Sequence, residues 1–177
     1  IMNLLQAESP FDTILQEDLE NVANHFPFSS ELSGKTVLVT GATGLIGSQL
    51  VRALSCMNRL HNTGVKVIAF VRSREKAEKV FGELLQRGDV TLKIGDINQP
   101  VSMEEPVDYI IHGASATSSQ YFVSHPVETI FTAIDGTRNL LELAVDKKVQ
   151  GFVYLSSLEV YGTPAPDAGL IDESYSG

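Results

Sequence analysis

Cysteine is almost absent from the sequence, which carries a single thiol, Cys56, in 177 residues. A lone cysteine cannot form a disulfide within the chain, and this indicates a reducing compartment, so we expect a cytoplasmic protein. Cys56 falls on a predicted helix, where a buried structural thiol is expected in preference to a catalytic one. Histidine, cysteine and carboxylate residues show no spacing typical of a metal site, and we predict no metal.

Long apolar runs and an excess of basic residues are missing as well. The longest apolar runs, such as residues 67–71, are far too short to span a bilayer, and the first residues show no signal-peptide pattern. The 13 basic and 22 acidic residues give a net charge of −9, which argues against nucleic acid or an anionic membrane as a partner. An anionic cofactor stays compatible with this charge, because a helix N-terminus and one or two arginines can hold a phosphate locally.

From Gly34 onward, short apolar segments alternate with helical apolar stripes. The strand-like segments are 36–40, 65–71, 90–94, 108–112 and 152–156. The stripes between them are Ile46, Leu50, Ala53 and Leu54; Ala77, Val80, Phe81, Leu84 and Leu85; and Ile130, Ile134, Leu140, Leu141, Ala144 and Val145. The last stripe predicts a long helix over 126–147. The alternation predicts an α/β fold, a doubly wound parallel sheet in three α/β/α layers (a Rossmann fold) with strand order 3-2-1-4-5.

The segment before Gly34 has the pattern of an added helix. Ser9 is a suitable N-cap, Pro10 suits the first helical position, and Asp12 completes a capping-box pattern. Its apolar stripe is Phe11, Ile14, Leu15, Leu19, Val22 and Phe26. We expect a surface helix packed on the domain, with a partner-binding helix as the alternative. The predicted division is a helical extension over 1–33 and a Rossmann domain over 34–177.

The most informative segment, residues 40–47, has a G-x-x-G-x-x-G spacing between a predicted strand and a predicted helix. Gly41 permits a sharp turn off the strand, Gly44 lets the backbone approach a pyrophosphate, and Gly47 lets the helix pack close to the sheet. The helix N-terminus then offers free N–H groups and a partial positive charge. A merely structural tight turn is the alternative. The residues predicted to bind the dinucleotide in this loop are Gly41, Thr43, Gly44, Leu45, Ile46 and Gly47.

In its T-G-A-T-G-x-I-G form, this loop resembles the extended short-chain dehydrogenase/reductase family, whose members include NAD-dependent nucleotide-sugar 4-epimerases and 4,6-dehydratases. The resemblance implies NAD or NADP as cofactor and a nucleotide sugar as substrate. Asp96 and Ile97 match a G-D-hydrophobic motif in which the Asp contacts adenine, although a solvated loop Asp is also compatible. Residues 112–116 resemble an H-x-A-A loop, which implies that Ala114, Ser115 and Ala116 line the cofactor. We expect His112 to be a structural residue at the strand end, with a catalyst or a metal ligand as the alternative.

The choice between NAD and NADP is left open by the end of the second predicted strand. NAD enzymes usually carry a carboxylate there, whereas NADP enzymes often use an arginine. This sequence has Arg72 and no carboxylate, which favours NADP, but many related nucleotide-sugar enzymes hold NAD. We expect Arg72 to face the adenosine ribose, with a solvated arginine as the alternative.

Residues 154–162 resemble the family's S-S-x-x-V-Y-G segment. The resemblance implies that Ser157 is the catalytic hydroxyl, which would bind the 4-oxygen of the sugar while hydride leaves carbon 4, and that Ser156 lies beside the cofactor. Glu159 matches a catalytic glutamate of dehydratase-like and decarboxylase-like members, with a surface carboxylate as the alternative. The dehydratase Asp is replaced by Leu158, which favours an epimerase, a decarboxylase or another oxidoreductase.

Two departures from the family pattern limit the prediction. Ala133 replaces the Asn of the family's N-V-x-G-T segment, and no Tyr in the sequence stands in the catalytic Y-x-x-x-K pattern. We therefore interpret the chain as the cofactor-binding part of a longer enzyme, truncated before the substrate lobe and without turnover by itself. An NADPH-dependent reductase and a non-catalytic NAD(P)-sensing module are the alternatives, and a homodimer is compatible with the family.

Overall fold

The computed structural model describes residues 7–116 and 118–175. Five strands form its sheet: β1 (Thr36–Thr40), β2 (Lys66–Val71), β3 (Val90–Ile94), β4 (Tyr109–His112) and β5 (Gly151–Tyr154). The helices are α1 (Thr13–His25), α2 (Leu45–His61), α3 (Arg74–Phe81), α4 (Ser119–Ser124) and α5 (Pro126–Lys147). Two short 3₁₀ helices follow α3 and β5, at Gly82–Gln86 and Leu158–Tyr161.

The sheet is parallel throughout and has the order β3-β2-β1-β4-β5, which confirms the predicted doubly wound topology. All five residues of β1 are buried, as a central strand covered on both faces requires. Its alternate side chains enter two cores. Val37 and Val39 pack on the side of α2 and α3, whereas Leu38 packs with Leu140 and Leu143 of α5 on the other side.

The segment before the sheet packs on α2, but its helix begins later than predicted. The N-cap is Asp12, whose carboxylate accepts the N–H of Leu15 at 3.0 Å, and Ser9 does not cap the helix. Ser9 lies outside the helix, and its N–H donates to the side chain of Gln16 at 2.8 Å rather than to the Asp12 carboxylate that a capping box requires. The predicted stripe was also partly wrong. Leu19 is buried and Leu15 and Phe26 pack against the core, but the buried face is completed by Gln16 and Ala23, and Phe11, Ile14 and Val22 are exposed.

A buried carboxylate fixes this extension to the rest of the domain. The Glu8 side chain is fully buried and accepts hydrogen bonds from Arg59, Arg87 and Gln16. Its backbone carbonyl accepts from the Arg52 side chain at 3.2 Å. Burial raises the pKa of Glu8, but the hydrogen bonds from Arg59, Gln16 and Arg87 outweigh that effect and lower it below the ordinary value. The extension is therefore held by charge as well as by apolar contact.

Several predicted boundaries shift by one or two residues. β2 and β4 begin one residue later than predicted. Asp108, just before β4, still binds β1, because its N–H donates to the Thr36 carbonyl at 2.9 Å and its carboxylate accepts the Thr36 N–H at 2.8 Å. β5 ends at Tyr154 rather than Ser156. α3 ends at Phe81 because Gly82 adopts a positive φ of 51°, which leaves the predicted Leu84 and Leu85 on the 3₁₀ turn. α4 was not predicted.

The bounds of α5 are as predicted, but its apolar stripe is only partly buried. Leu140 is buried, whereas Ile130, Ile134, Leu141 and Val145 are exposed. The buried side of the helix is formed by Gly136, Asn139, Leu140 and Leu143. In the part of the chain that is described, no helix combines the length and the apolarity needed to cross a bilayer.

Candidate functional site

The predicted site residues follow the carboxyl ends of the strands, which lie together at one edge of the sheet. Thr40 at the end of β1 is in register with Phe70 of β2 and His112 of β4, and His112 is in register with Tyr154 of β5. β1 lies between β2 and β4, where the strand order reverses. In open α/β sheets this switch point is where ligands bind.

Two glycines of the loop after β1 are required by close packing. Gly41 has a φ of 67°, and a Cβ there would lie 2.6 Å from the carbonyl oxygen of Gly113 in the loop after β4. A Cβ on Gly47 would overlap the main chain of Gly41. These positions hold the first turn of α2 against the strand ends, as the sequence predicted from the glycine spacing.

Gly44 is different, because it is exposed and a Cβ there would crowd the main chain less severely than one at Gly41 or Gly47. It is the exposed N-cap of α2, with a φ of −81° that any residue can adopt. A Cβ on Gly44 would lie 3.1 Å from the Gly41 carbonyl oxygen. No side chain caps the helix, and the first backbone bond runs from Ser48 N–H to the Gly44 carbonyl. The N–H groups of residues 45–47 therefore precede the hydrogen-bonded ladder, as an anion site at a helix N-terminus requires. Leu45 and Ile46 are exposed beside them, and Thr43 is half-buried.

A buried histidine connects this loop to the next one. His112 is 1% exposed; its Nδ1 lies 2.8 Å from Thr40 Oγ1 and its Nε2 lies 3.1 Å from Thr137 Oγ1 on α5. Thr40 Oγ1 also accepts the N–H of Ala114 at 3.2 Å. Because Thr40 Oγ1 is buried and already accepts the Ala114 N–H, we assign its hydroxyl proton to Nδ1; in that tautomer the ring proton lies on Nε2 and is donated to Thr137. Burial lowers the pKa of His112 to about 4, so the ring is neutral at pH 7.

We call this chain of hydrogen bonds, from Ala114 through Thr40 and His112 to Thr137, the histidine relay. It agrees with the expectation that His112 is structural, because the ring joins β1 and the loop after β4 to α5. The sequence suggested a strand-end histidine but not its two partners, which lie 72 and 25 residues away along the chain.

The loop after β3 carries the predicted adenine residues. Asp96 is exposed, and its carboxylate accepts the N–H of Asn98 at 3.0 Å. The Ile97 side chain is buried, and its carbonyl accepts a hydrogen bond from the Asn139 amide at 2.7 Å. Any contact between Ile97 and a ligand is therefore restricted to main-chain atoms. A cavity of about 320 Å³ adjoins this loop, lined by Phe70, Lys93, Gly95, Asp96 and Gln99 among others.

Arg72 follows β2 at the same edge and is exposed. Ser73 caps α3 by accepting the N–H of Lys76 at 3.2 Å, which makes Arg72 the last residue before the helix cap. Within residues 7–116 and 118–175 the Arg72 guanidinium has no ion pair, whereas Arg74 lies 4.0 Å from Glu78. Arg72 is thus available to an anionic group at this edge.

The loops after β4 and β5 complete the edge. Ala114 and Ala116 are half-buried, while Ser115 is exposed and donates to the carbonyl of Ala116 at 3.0 Å. Ser156, Ser157 and Glu159 are exposed. Ser157 caps the 3₁₀ turn by accepting the N–H of Glu159 at 3.3 Å, so its hydroxyl proton is left for another acceptor. The sheet register brings these residues to the same edge as the glycine loop, and the loop after β4 packs against Gly41.

A larger open cavity, of about 800 Å³, lies at the opposite edge of the sheet. It is lined by Arg59, Lys66, Glu83, Arg87 and Asp89 among others. Lys66 begins β2 and Asp89 precedes β3, so this cavity opens at the amino ends of the strands, far from the predicted site. Among the described residues, no three His, Cys, Asp or Glu side chains are grouped closely enough to hold a metal.

The comparison with known proteins agrees with this geometry. The model of the NAD dependent epimerase/dehydratase family matches residues 37–176. The chain is 36% identical over 137 residues to UDP-glucuronic acid decarboxylase 6 of Arabidopsis thaliana, covering 75% of this chain and 36% of that relative. It also resembles the structure of UDP-glucose 4-epimerase from Bifidobacterium longum in complex with NAD+ and UDP, with a TM-score of 0.62 and 27% identity, covering 81% of this chain and 43% of the other.

A third likeness is to the epimerase Mth375 of Methanothermobacter thermautotrophicus, with a TM-score of 0.65 and 27% identity over 84% of this chain and 44% of the other. The chain spans about a third of the length of the curated relatives it matches. These likenesses confirm the resemblance predicted from the sequence motifs. The family is defined by its dependence on NAD, which confirms the predicted class of cofactor, NAD or NADP.

Proposed function

The chain belongs to the NAD dependent epimerase/dehydratase family, and we propose that it is the dinucleotide-binding part of an enzyme that oxidises and reduces a nucleotide sugar at carbon 4. The observation that carries the proposal is the N-terminus of α2. There, an uncapped helix N-terminus begins at an exposed glycine, at the edge where the strand order reverses. This arrangement suits a diphosphate, because the N–H groups of residues 45–47 precede the hydrogen-bonded ladder and no side chain caps the helix.

The residues that would hold the dinucleotide surround the N-terminus of α2. The N–H groups of residues 45–47 would bind the diphosphate, with Gly41 and Thr43 shaping the loop. Asp96 and the main chain of Ile97 would bind the adenosine end. The small residues 114–116, together with Ser156, would line the nicotinamide end. When bound, the cofactor would supply a hydride acceptor and donor for carbon 4 of the sugar.

Ser157 and Glu159 are the residues of this chain proposed to act on the sugar. The Ser157 hydroxyl already accepts one N–H, and its proton is free to bind the 4-oxygen and stabilise the charge that develops there. Glu159 is exposed two residues further on, where its carboxylate could exchange a proton with the substrate. Leu158 stands where dehydratases have Asp, so we favour epimerisation or decarboxylation through a 4-keto sugar over dehydration.

Arg72 supports a second candidate, an NADPH-dependent reductase of the same superfamily. Its guanidinium is exposed at the end of β2 and could bind the 2′-phosphate of NADP. Titration of the chain with NAD+ and with NADP+ by calorimetry tests this directly. If Arg72 binds the 2′-phosphate, Arg72→Ala weakens NADP+ binding about tenfold and leaves NAD+ binding unchanged, whereas the control Arg74→Ala changes neither. Equal affinities for all three proteins remove Arg72 from the site.

The sequence of 177 residues contains no Tyr-x-x-x-Lys, so we propose that this stretch binds the dinucleotide but does not turn over a sugar by itself. The chemistry is tested in the longer protein that contains it, with UDP-glucose and UDP-glucuronic acid as substrates and NMR detection of the products. Ser157→Ala should lower kcat at least a hundredfold without loss of dinucleotide binding. Full activity of Ser157→Ala would contradict the assigned role.

A non-catalytic NAD(P)-sensing module is the remaining alternative, and it predicts dinucleotide binding with no turnover in the longer protein. The homodimer also stays a prediction, because every contact described lies within one chain. Sedimentation velocity with and without dinucleotide measures the oligomeric state.

A further inference from the structure

We propose that the histidine relay, with Thr137 as its anchor on α5, positions the loop over residues 113–116 for the dinucleotide. Thr137 and His112 are thus positioning residues that act through Ala114 and Thr40. The inference rests on the proposed function, because it assigns the relay to the same dinucleotide site. Neither threonine was singled out from the sequence as a site residue.

The first support is the contact between the two loops at the site. A Cβ on Gly41 would lie 2.8 Å from the Ala114 nitrogen and 2.6 Å from the Gly113 oxygen, so the loop after β4 is packed directly on the loop after β1. The Ala114 N–H is tied to Thr40 Oγ1, the last side chain of β1. Movement of residues 113 and 114 would therefore alter the space next to the glycine loop.

The second support is that the relay has one end on a rigid element. Thr40 is held by His112, and His112 is held by Thr137 in the middle of the 22-residue helix α5. His112 is also enclosed by aromatic rings, with the Phe152 and Tyr154 centroids 6.3 Å and 5.4 Å from its own. A buried ring that is hydrogen-bonded at both nitrogens and packed beside two aromatic rings is restricted in orientation, and in our proposal it links the position of α5 to Thr40.

The third support is that the same turn of α5 holds the other flanking loop. Gly136 packs so tightly against Ile97 that a Cβ there would lie 2.7 Å from Ile97 Cδ1. Asn139 donates to the Ile97 carbonyl at 2.7 Å in a buried hydrogen bond. One turn of α5 therefore contacts the loop after β3 directly and the loop after β4 through the relay. This turn spaces the two loops that would enclose the ends of the dinucleotide.

The test replaces the Thr137 hydroxyl by a methyl group in Thr137→Val and restores it in Thr137→Ser. Thr129→Val is the matched control, since Thr129 lies on the same helix and its hydroxyl donates to the His125 carbonyl. For each protein we would measure three quantities: the Kd for NAD+ and NADP+, the hydrogen exchange rate of the Ala114 amide, and the 15N shifts of the His112 ring. The ring shifts report which nitrogen carries the proton, a signature that a general loss of stability does not change.

We expect Thr137→Val to raise the Kd of the preferred dinucleotide about tenfold, or ~1.4 kcal/mol, and to accelerate Ala114 exchange about tenfold. Thr137→Ser should restore both values to within about threefold, and Thr129→Val should change neither. Wild-type ring shifts should show the proton on Nε2. If the wild type binds and Thr137→Val matches Thr129→Val in affinity and in Ala114 exchange, the positioning role is overturned and the proposed function stands. If the wild type binds neither dinucleotide, the proposed function fails, and the positioning role fails with it.

Discussion

The replacement Glu8→Gln tests whether the N-terminal extension is fixed to the domain by its buried carboxylate. The Glu8 side chain has no exposed surface, and its hydrogen bonds from Arg59 and Gln16 measure 3.0 Å. Glutamine keeps the volume but removes the charge, which leaves two partly buried guanidinium groups without this partner. Breaking a buried ion pair by removing one member costs about 3–5 kcal/mol.

The expected cost lies at the low end of that range because both arginines keep a second carboxylate. Arg59 lies 2.6 Å from Glu20, and Arg87 lies 2.8 Å from Asp89. A loss of about 3 kcal/mol in a domain of this size lowers Tm by roughly 6–12 °C. The control Glu17→Gln removes an exposed carboxylate of α1 and should change Tm by no more than about 2 °C.

The pH dependence follows from the lowered pKa of Glu8. A carboxyl whose pKa is lower in the folded chain than in the unfolded chain contributes its full stabilisation above its unfolded pKa, about 4.3, and loses it as the pH falls through the folded value. The Tm difference between the wild type and Glu8→Gln should therefore be constant from about pH 6 to 8 and shrink below about pH 4. Thermal melts by circular dichroism measure both. Equal Tm values for Glu8→Gln and Glu17→Gln at pH 7 would refute the reasoning.

Two further predictions concern Gly47 and Cys56. Gly47→Ala should lower the free energy of unfolding by about 3 kcal/mol, because the added Cβ meets the main chain of Gly41, and urea denaturation measures the loss. Gly44→Ala serves as its control, with a cost below about 1 kcal/mol, and equal losses for the two would contradict the packing described. Burial, followed by the charge of Glu8, raises the pKa of the Cys56 thiol to about 12, so native protein should not react with Ellman's reagent until it is unfolded. Rapid stoichiometric labelling of the native chain would contradict the buried position of Cys56.

The sheet and the glycine loop could be predicted because their signals are local. The strands are short β-branched runs, and the order of strands and helices restricts how a doubly wound sheet can be connected. The roles of Gly41 and Gly47 follow from spacing alone, and the close contacts at both positions agree with them. The placement of the cofactor loops at one edge then follows from the parallel direction of the strands.

The features that were missed depend on contacts between distant residues. Ser9 and Asp12 both suit an N-cap, and the sequence pattern does not show that the Ser9 N–H is bound by Gln16 while Asp12 caps the helix. The histidine relay joins β1, β4 and α5, and no pattern in the sequence pairs Thr40 or Thr137 with His112. The apolar stripe of α5 was recognised, but periodicity does not reveal that only Leu140 of that stripe is buried, with Gly136, Asn139 and Leu143 completing the buried face.

The most direct test of the central claim is a crystal structure of this chain grown with saturating NAD+ or NADP+. The account predicts diphosphate oxygens within hydrogen-bond distance of the N–H groups of Leu45 and Ile46, with the Gly44 Cα facing the phosphates. The account would be contradicted if the dinucleotide left the N-terminus of α2 empty and bound elsewhere, for example in the cavity beside Arg59 and Arg87 at the opposite edge of the sheet.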